Sequence, residues 1–454
     1  MKRLLPWVLA SLIIGYFGII FYANHGIYFS HFDPSYWKGR FDHSQWQLPQ
    51  SERGIGDDGL YAYGGYILSQ GADPAGFNAE MPPLGKYMIG FTIVLFRNGQ
   101  LYGLITMTIA IGIFFLCAKL LLRDTVRALS ATLILALDPL ITSQFAITML
   151  ESGQLLFLLL LCLGLSQKKY HAVFLGLVFG AFSAIKFPLV SPLICMGIIA
   201  LIWQKTKRVA PIFLFLAASI VAYLSAYLRY FSLGHTLINW LGVQKWIVNF
   251  YLHANLLPNF GSFVTALTTG WIQNFFTRGW ERATEWSPVW PFIFLATLSW
   301  GLVYWKKYLA ITSMMMLAIV LYSVIPFWTR YLVLFLPIFY LVTVAVISSR
   351  AKQWFPILIG IIILTNGAAS LRILFRTPQT AVNQFLFDWK HGFFQDMYEQ
   401  VSSDTQQAIS REAFHSIGFQ TFLDGQIEKV EITSDPVAWS RFRSPQTVPL
   451  NITY

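Results

Sequence analysis

Long apolar runs recur along this chain and are joined mostly by short turns. A helix crosses a bilayer with about 20 mostly apolar residues. The first run, 4–23, follows Lys2 and Arg3. No small-x-small cleavage site follows it in FYANHGIYF, so it reads as an uncleaved span rather than a signal peptide. Further spans are expected at 98–121, 126–144, 151–167, 171–187, 188–204, 209–229, 288–305, 308–328, 331–349 and 354–375. Composition agrees: 56% of the 454 residues are apolar or aromatic and 12% are charged, about half the charged share of a soluble domain. A soluble fold could not hide that much apolar surface. The expected fold class is an all-α polytopic membrane protein, a bundle of about eleven transmembrane helices by the run count above. Disordered, collagen-like and disulfide-stapled chains are excluded. Cys117, Cys162 and Cys195 lie in apolar runs without metal-ligand spacing and read as packing residues.

The turns expected inside carry Lys168-Lys169, Lys205/Lys207/Arg208, Lys306-Lys307 and Arg350/Lys352. Every second turn is basic, which sets the N-terminus in the cytoplasm and the C-terminus outside. Three outer parts follow: a loop over 24–97, an aromatic loop over 230–287, and a small external region over 377–454 beyond a transmembrane domain of residues 1–376. The tail mixes a helix-like SSDTQQAISREAF with a strand-like IEKVEIT. The net charge of +11 is a topology signal: fourteen inner Lys and Arg face one inner acid, Asp124, and the remaining 18 basic and 20 acidic residues nearly cancel. It gives no support to nucleic-acid binding. No internal repeat is visible, which disfavours a transporter built from repeated halves.

The balanced outer set is where chemistry is expected. Asp57 and Asp58 open a helix that carries Tyr61, Tyr63 and Tyr66; acids at a helix start are also ordinary caps. Glu80 precedes Pro82-Pro83 and LGKYMIGFTIVLF, a stretch too short to span that suits an interfacial or re-entrant helix. Lys86 falls in its first turn, where a solvated or snorkelling lysine is the plain reading. Glu151 begins the fourth span, and Lys186 and Arg330 sit at outer ends of apolar runs, as functional groups or as anchors. A charge inside the membrane costs roughly 2.5–3.5 kcal/mol and usually faces a cavity or a partner. Together these acids and cations form a pattern. Carboxylates can act as general bases toward a hydroxyl, and cations can hold a phosphate and stabilise it as it leaves.

These residues resemble the GT-C glycosyltransferases that use polyprenyl-phosphate sugars, above all the protein O-mannosyltransferase branch and the related lipid A aminoarabinose transferases. The resemblance rests on Asp57-Asp58-Gly59-Leu60-Tyr61, then Gly71, then Pro82-Pro83-Leu84-Gly85-Lys86. It continues in Glu151, Lys186, the Arg330-Tyr331 pair with Pro337, and ATEWSPVWP, and it covers residues 1–350. The chain departs from the pattern at Asp58, where the family has Glu. It departs again at Met81, where the mannosyltransferases have His and the aminoarabinose enzymes Lys. It also lacks the sugar-binding domain that the eukaryotic mannosyltransferases carry between later spans.

The resemblance implies a hexosyl- or pentosyltransferase, mannosyltransferase-like, with direct inverting transfer from a polyprenyl-phosphate sugar on the outer face. Asp57 would be the catalytic base. Lys186, Arg330 and Lys86 would neutralise the departing phosphate, while Asp58, Tyr61, Glu80 and Glu151 complete the substrate site. Acceptors in reach of the resemblance are a protein, as in protein glycosylation, a lipid or a glycan. No metal is required, although acids near a phosphate can recruit a divalent cation. Two other readings are a transporter or flippase of lipid-linked saccharides and a non-catalytic subunit of a glycan-assembly complex. A transporter would place its charges at mid-membrane, whereas here they collect at one face.

Overall fold

The computed structural model describes residues 4–48, 55–167, 171–186, 191–253, 260–274, 279–304, 319–323 and 327–375. Further on it describes only residues 385, 397, 413–414, 429–432 and 450–453. The chain divides into two compact units, one of Met1–Pro34 with Asp57–Leu374, the other of Ser35–Gly56 with Phe375–Tyr454. The second unit therefore takes a segment of the long loop after the first span as well as the tail.

The first unit is helical. Its helices are α1 (Leu5–Ala23), α2 (His25–Phe29), α4 (Asp57–Ser69), α5 (Leu84–Phe96), α6 (Leu101–Leu122), α7 (Thr125–Ala136), α8 (Pro139–Ser143), α9 (Leu150–Ser166) and α10 (Ala172–Ile185). They continue as α11 (Ser191–Thr206), α12 (Ala210–Ser225), α13 (Leu228–Ser232), α14 (Leu237–His253), α15 (Ser262–Thr269), α16 (Trp290–Tyr304), α17 (Leu336–Arg350) and α18 (Phe355–Leu374). Among the described residues, three stretches are long and apolar enough to cross a membrane: Leu5–Ala23, Leu101–Leu122 and Lys352–Leu374. Eight further apolar helices are shorter. Large apolar side chains point outward from them, among them Ile14, Phe91, Phe213, Leu302 and Leu364, each at least 62% exposed. Such a surface suits hydrocarbon and not water. The chain is an integral membrane protein.

Two expected spans are broken. The 126–144 run splits into α7 and α8 because Asp138 precedes Pro139. Its backbone is extended there, as a residue before proline prefers, and its carboxylate caps α8 by accepting from the N–H groups of Leu140 and Ile141. The 331–349 span begins as a 3-10 turn over Thr329–Leu334, and α17 starts only at Leu336, with Pro337 in its first turn. The 308–328 span falls largely outside the described residues.

Close helix packing uses glycine. Gly176 and Gly180 of α10, spaced GxxxG, lie against α12: a Cβ on either would come within 2.3 Å of the carbonyl oxygens of Phe215 and Ser219. Elsewhere a buried polar knot ties the bundle. The Trp290 Nε1–H and the Tyr340 hydroxyl each donate to Asp138 Oδ2 at 2.7 Å. Asn366 donates to Tyr340 Oη and to the Ile134 carbonyl, and Ser287 donates to Asn366.

In the second unit, the Ile55 N–H donates to Gln45 Oε1, and Lys38 pairs with Asp42 in α3 (Pro34–Asp42). The strand expected at IEKVEIT is present as Lys429–Ile432, paired antiparallel with Leu450–Thr453. The helix-like SSDTQQAISREAF lies almost wholly outside the described residues.

Candidate active site

The site grows from the α4–α5 hairpin. Tyr61 is 1% exposed and packs with Ile89, Ile93, Tyr102, Leu150 and Ile185, so it forms a floor. Gly65 and Gly90 let the two helices touch: a Cβ on Gly90 would stand 2.3 Å from the Gly65 carbonyl oxygen. Asp57 and Asp58 occupy the first turn of α4. The Thr148 hydroxyl donates to the Asp58 carbonyl at 2.7 Å and ties that turn to the segment before α9.

Four predicted residues meet here. Glu151 lies in the first turn of α9, Lys186 at the C-terminal cap of α10, and Arg330 in the 3-10 turn before α17. Lys186 Nζ donates to Glu151 Oε1. Arg330 Nη2 donates to Asp57 Oδ2 at 2.5 Å, and its Nε lies 3.0 Å from the same Glu151 Oε1. The result is a chain of alternating charge, Asp57–Arg330–Glu151–Lys186. Glu151 is 1% exposed at its side chain, whereas Asp57 is 34% exposed and open to a substrate. The Tyr331 ring backs both cations, 4.6 Å from Lys186 Nζ and 5.7 Å from the Arg330 guanidinium carbon.

Lys86 corrects its plain reading. It is fully buried and neither snorkels nor meets solvent. Its Nζ donates to the carbonyls of Phe77 at 3.1 Å and Asn78 at 2.7 Å, so it props the loop that carries Glu80. Asn78 donates in turn to Glu80 Oε1. Burial raises the Glu80 carboxyl above its ordinary value, against the pull of Lys86 and Asn78.

The sequence reading missed several groups. Tyr251 of α14 reaches the thioether of Met81 at 3.8 Å and stands close enough to Asp57 and Glu80 to feel their charge. The loop between α4 and α5 is also clasped from α13 onward: Arg229 donates to the Gly71 carbonyl at 2.7 Å, and His235 pairs with Asp73 at 2.9 Å. An apolar groove of about 400 Å³ runs between α10, α12 and α14, lined by Phe179, Ser183, Leu216, Tyr223 and Trp240 among others. Among the described residues, no group of three or more His, Cys, Asp or Glu could hold a metal ion.

No family model and no curated protein matches the sequence. Solved structures do match in fold. The apo structure of ArnT from Cupriavidus metallidurans superposes with a TM-score of 0.53 at 15% identity, over 92% of this chain and 75% of that one. The chain has the ArnT fold. ArnT is a lipid A aminoarabinose transferase of the GT-C superfamily, the second of the two branches that the motifs resemble. A second ArnT structure, bound to undecaprenyl phosphate, gives a TM-score of 0.52 at 16% identity over the same shares of the two chains. At such identities the likeness to ArnT concerns the fold alone.

Proposed function

We propose that the protein is a membrane glycosyltransferase that moves a sugar from a polyprenyl-phosphate carrier to an acceptor hydroxyl on the outer side of the membrane. The observation that carries this reading is the Asp57–Arg330–Glu151–Lys186 chain. It puts a part-exposed carboxylate beside two cations in a fold shared with a structure that binds undecaprenyl phosphate. Asp57 takes the acceptor's proton as that oxygen attacks the anomeric carbon. The bond from that carbon to the phosphate oxygen breaks, and the phosphate leaves with the electron pair. One displacement inverts the anomeric centre. Lys186 and Arg330 stabilise the leaving phosphate. Asp58 and Glu80 orient the acceptor or sugar. Lys86 acts from behind, by holding the Glu80 loop. The groove beginning one helical turn from Lys186 suits the carrier's tail.

A transporter reading needs a charge along a path through the membrane. The buried candidate, Asp138, has its acceptor atoms taken by Trp290, Tyr340, Leu140 and Ile141.

The test incubates purified protein with a panel of undecaprenyl-phosphate sugars and candidate protein, lipid and glycan acceptors, and measures free undecaprenyl phosphate. Asp57→Asn should lower turnover by about 100-fold or more, the scale of a lost general base. Full turnover in that variant refutes the assignment of the base. Absence of release from every donor, in protein shown to be folded, refutes the enzyme reading.

A further inference from the structure

Glu151 is an odd partner for two cations. One of its oxygens, Oε1, receives the Lys186 ammonium and lies 3.0 Å from Arg330 Nε. Its other oxygen, Oε2, is buried without a hydrogen-bond partner. The cations are under-used as well. Arg330 Nε faces Oε1 outside hydrogen-bond geometry and has no other acceptor. Lys186 has three donors and gives one to Glu151. A carboxylate oxygen thus neutralises the pair without satisfying it. A phosphate group, with two terminal oxygens in the sugar-bearing diester and three in the monoester that leaves, would satisfy more of these donors.

Charge balance points the same way. Asp57 and Glu151 cancel Lys186 and Arg330, so the chain of four is neutral before any substrate arrives. A cluster this buried must be close to neutral to sit at the membrane cheaply. An incoming phosphate meets cations whose charge is already balanced, with the buried Glu151 carboxylate in contact with both. Asp57 is the base in the proposed reaction and bonds to Arg330 through a different nitrogen, Nη2. Glu151 is the acid that can release the shared edge of both cations.

We propose that Glu151 is a stand-in anion: it keeps Lys186 and Arg330 assembled while the donor is absent and yields them to the donor's phosphate on binding. This rests on the proposed use of a polyprenyl-phosphate donor. Glu151 is a positioning residue, and its charge weakens donor binding while keeping the empty site ordered. It also explains how a site can hold two adjacent buried cations between turnovers and still discharge a phosphate-bearing product. The returning carboxylate competes with the product for the same donors.

The experiment measures undecaprenyl phosphate binding to the full-length protein in detergent, by direct titration and by the shift in thermal midpoint. Glu151→Gln keeps the shape and removes the charge. It should bind undecaprenyl phosphate roughly tenfold tighter than the native protein, the scale of removing a like charge a few ångströms away in a partly buried site. The lipid should also raise its thermal midpoint by more than it raises that of the native protein, since it restores the missing anion. Lys186→Gln and Arg330→Gln should bind more weakly. Equal or weaker binding by Glu151→Gln, with weakened binding by the two cation variants, overturns the stand-in role and leaves the lipid-phosphate reading intact. A Glu151→Gln protein that unfolds on extraction and is not rescued by undecaprenyl phosphate also counts against it. If the native protein and all three variants fail to bind the lipid, the donor reading itself fails.

Discussion

Replacing Lys86 by methionine separates a prop from a phosphate ligand. The native side chain is fully buried, and its ammonium donates at 3.1 and 2.7 Å to the carbonyls of Phe77 and Asn78. Methionine fills the same space and leaves both carbonyls without that donor. A hydrogen bond from a charged group contributes about 1.5–3 kcal/mol, and the relief of ammonium desolvation offsets part of the two. The net loss is about 2–4 kcal/mol. In a domain of this size each kcal/mol moves the thermal midpoint by about 1–2 °C, so a fall of about 2–8 °C is expected. The assay is a thermal ramp in detergent with a thiol-reactive dye, reading the exposure of the buried Cys117. Native and variant proteins are heated at one scan rate, because unfolding of such proteins is irreversible. Limited proteolysis of the 71–83 loop is the second readout, and cleavage should accelerate. A midpoint within about 1 °C of native, with unchanged proteolysis, refutes the prop. Lys86 would then owe its burial to a ligand-facing role.

Glu80→Gln tests the pH linkage. Because burial raises the folded carboxyl above its ordinary value of 4.5, the folded state holds its proton more tightly than the unfolded one. Stability from this group is therefore full below 4.5 and is lost as pH rises through the higher folded value. The variant should be more thermostable than native at neutral pH and lack that slope; a parallel pH profile in both proteins would contradict it. Gly90→Ala should cost about 1–3 kcal/mol or more, since the new Cβ meets the Gly65 carbonyl, and should reduce transfer by parting α4 from α5. Gly112→Ala, with open space around its Cβ, is the control and should leave the thermal midpoint level or higher. Trp290→Phe removes one donor from Asp138 and should lower stability by about 1–3 kcal/mol in the same thermal assay.

The legible parts of the site were charges at the ends of apolar runs. Glu151, Lys186 and Arg330 stand out because a charge next to a span needs a reason, and the structure brings all three to one cluster with Asp57. The Glu151–Lys186 pair could have been foreseen: opposite charges stand at facing ends of consecutive spans joined by a short basic turn. The Arg330–Asp57 pair could not, because 273 residues separate the partners and only the folded bundle closes that distance. Lys86 was misjudged because its acceptors are backbone carbonyls, which every residue carries. Their placement depends on Gly71 and Asn78 with φ of +88° and +48°, and no spacing rule gives that loop path. Asp138 was absorbed into an apolar run. Its partners Trp290 and Tyr340 lie on later helices, so nothing nearby in the sequence marks it as paired.

The loop after the first span looks long and free in sequence, yet the part that carries Asp57, Asp58 and Glu80 is held at several points. At one end Asn98 donates to the carbonyls of Ile27, Tyr28 and Ser30, and the Phe32 N–H donates to the Arg97 carbonyl. At the other end Thr148 holds the Asp58 carbonyl. The middle is closed by the Gly65–Gly90 contact, by Lys86 under the 77–78 turn, and by Arg229 and His235 on Gly71 and Asp73. On the proposed mechanism a mobile base would be costly, because misplacement by about 1 Å can cost 100-fold in rate. These anchors come from α2 and the segment after it, the segment before α9, and α13 with the turn after it. Motion of Asp57 relative to Arg330 therefore requires breaking several of them at once. The two helices of the hairpin that carries Asp57 have 13 residues each, and they are fixed by contacts from outside the hairpin.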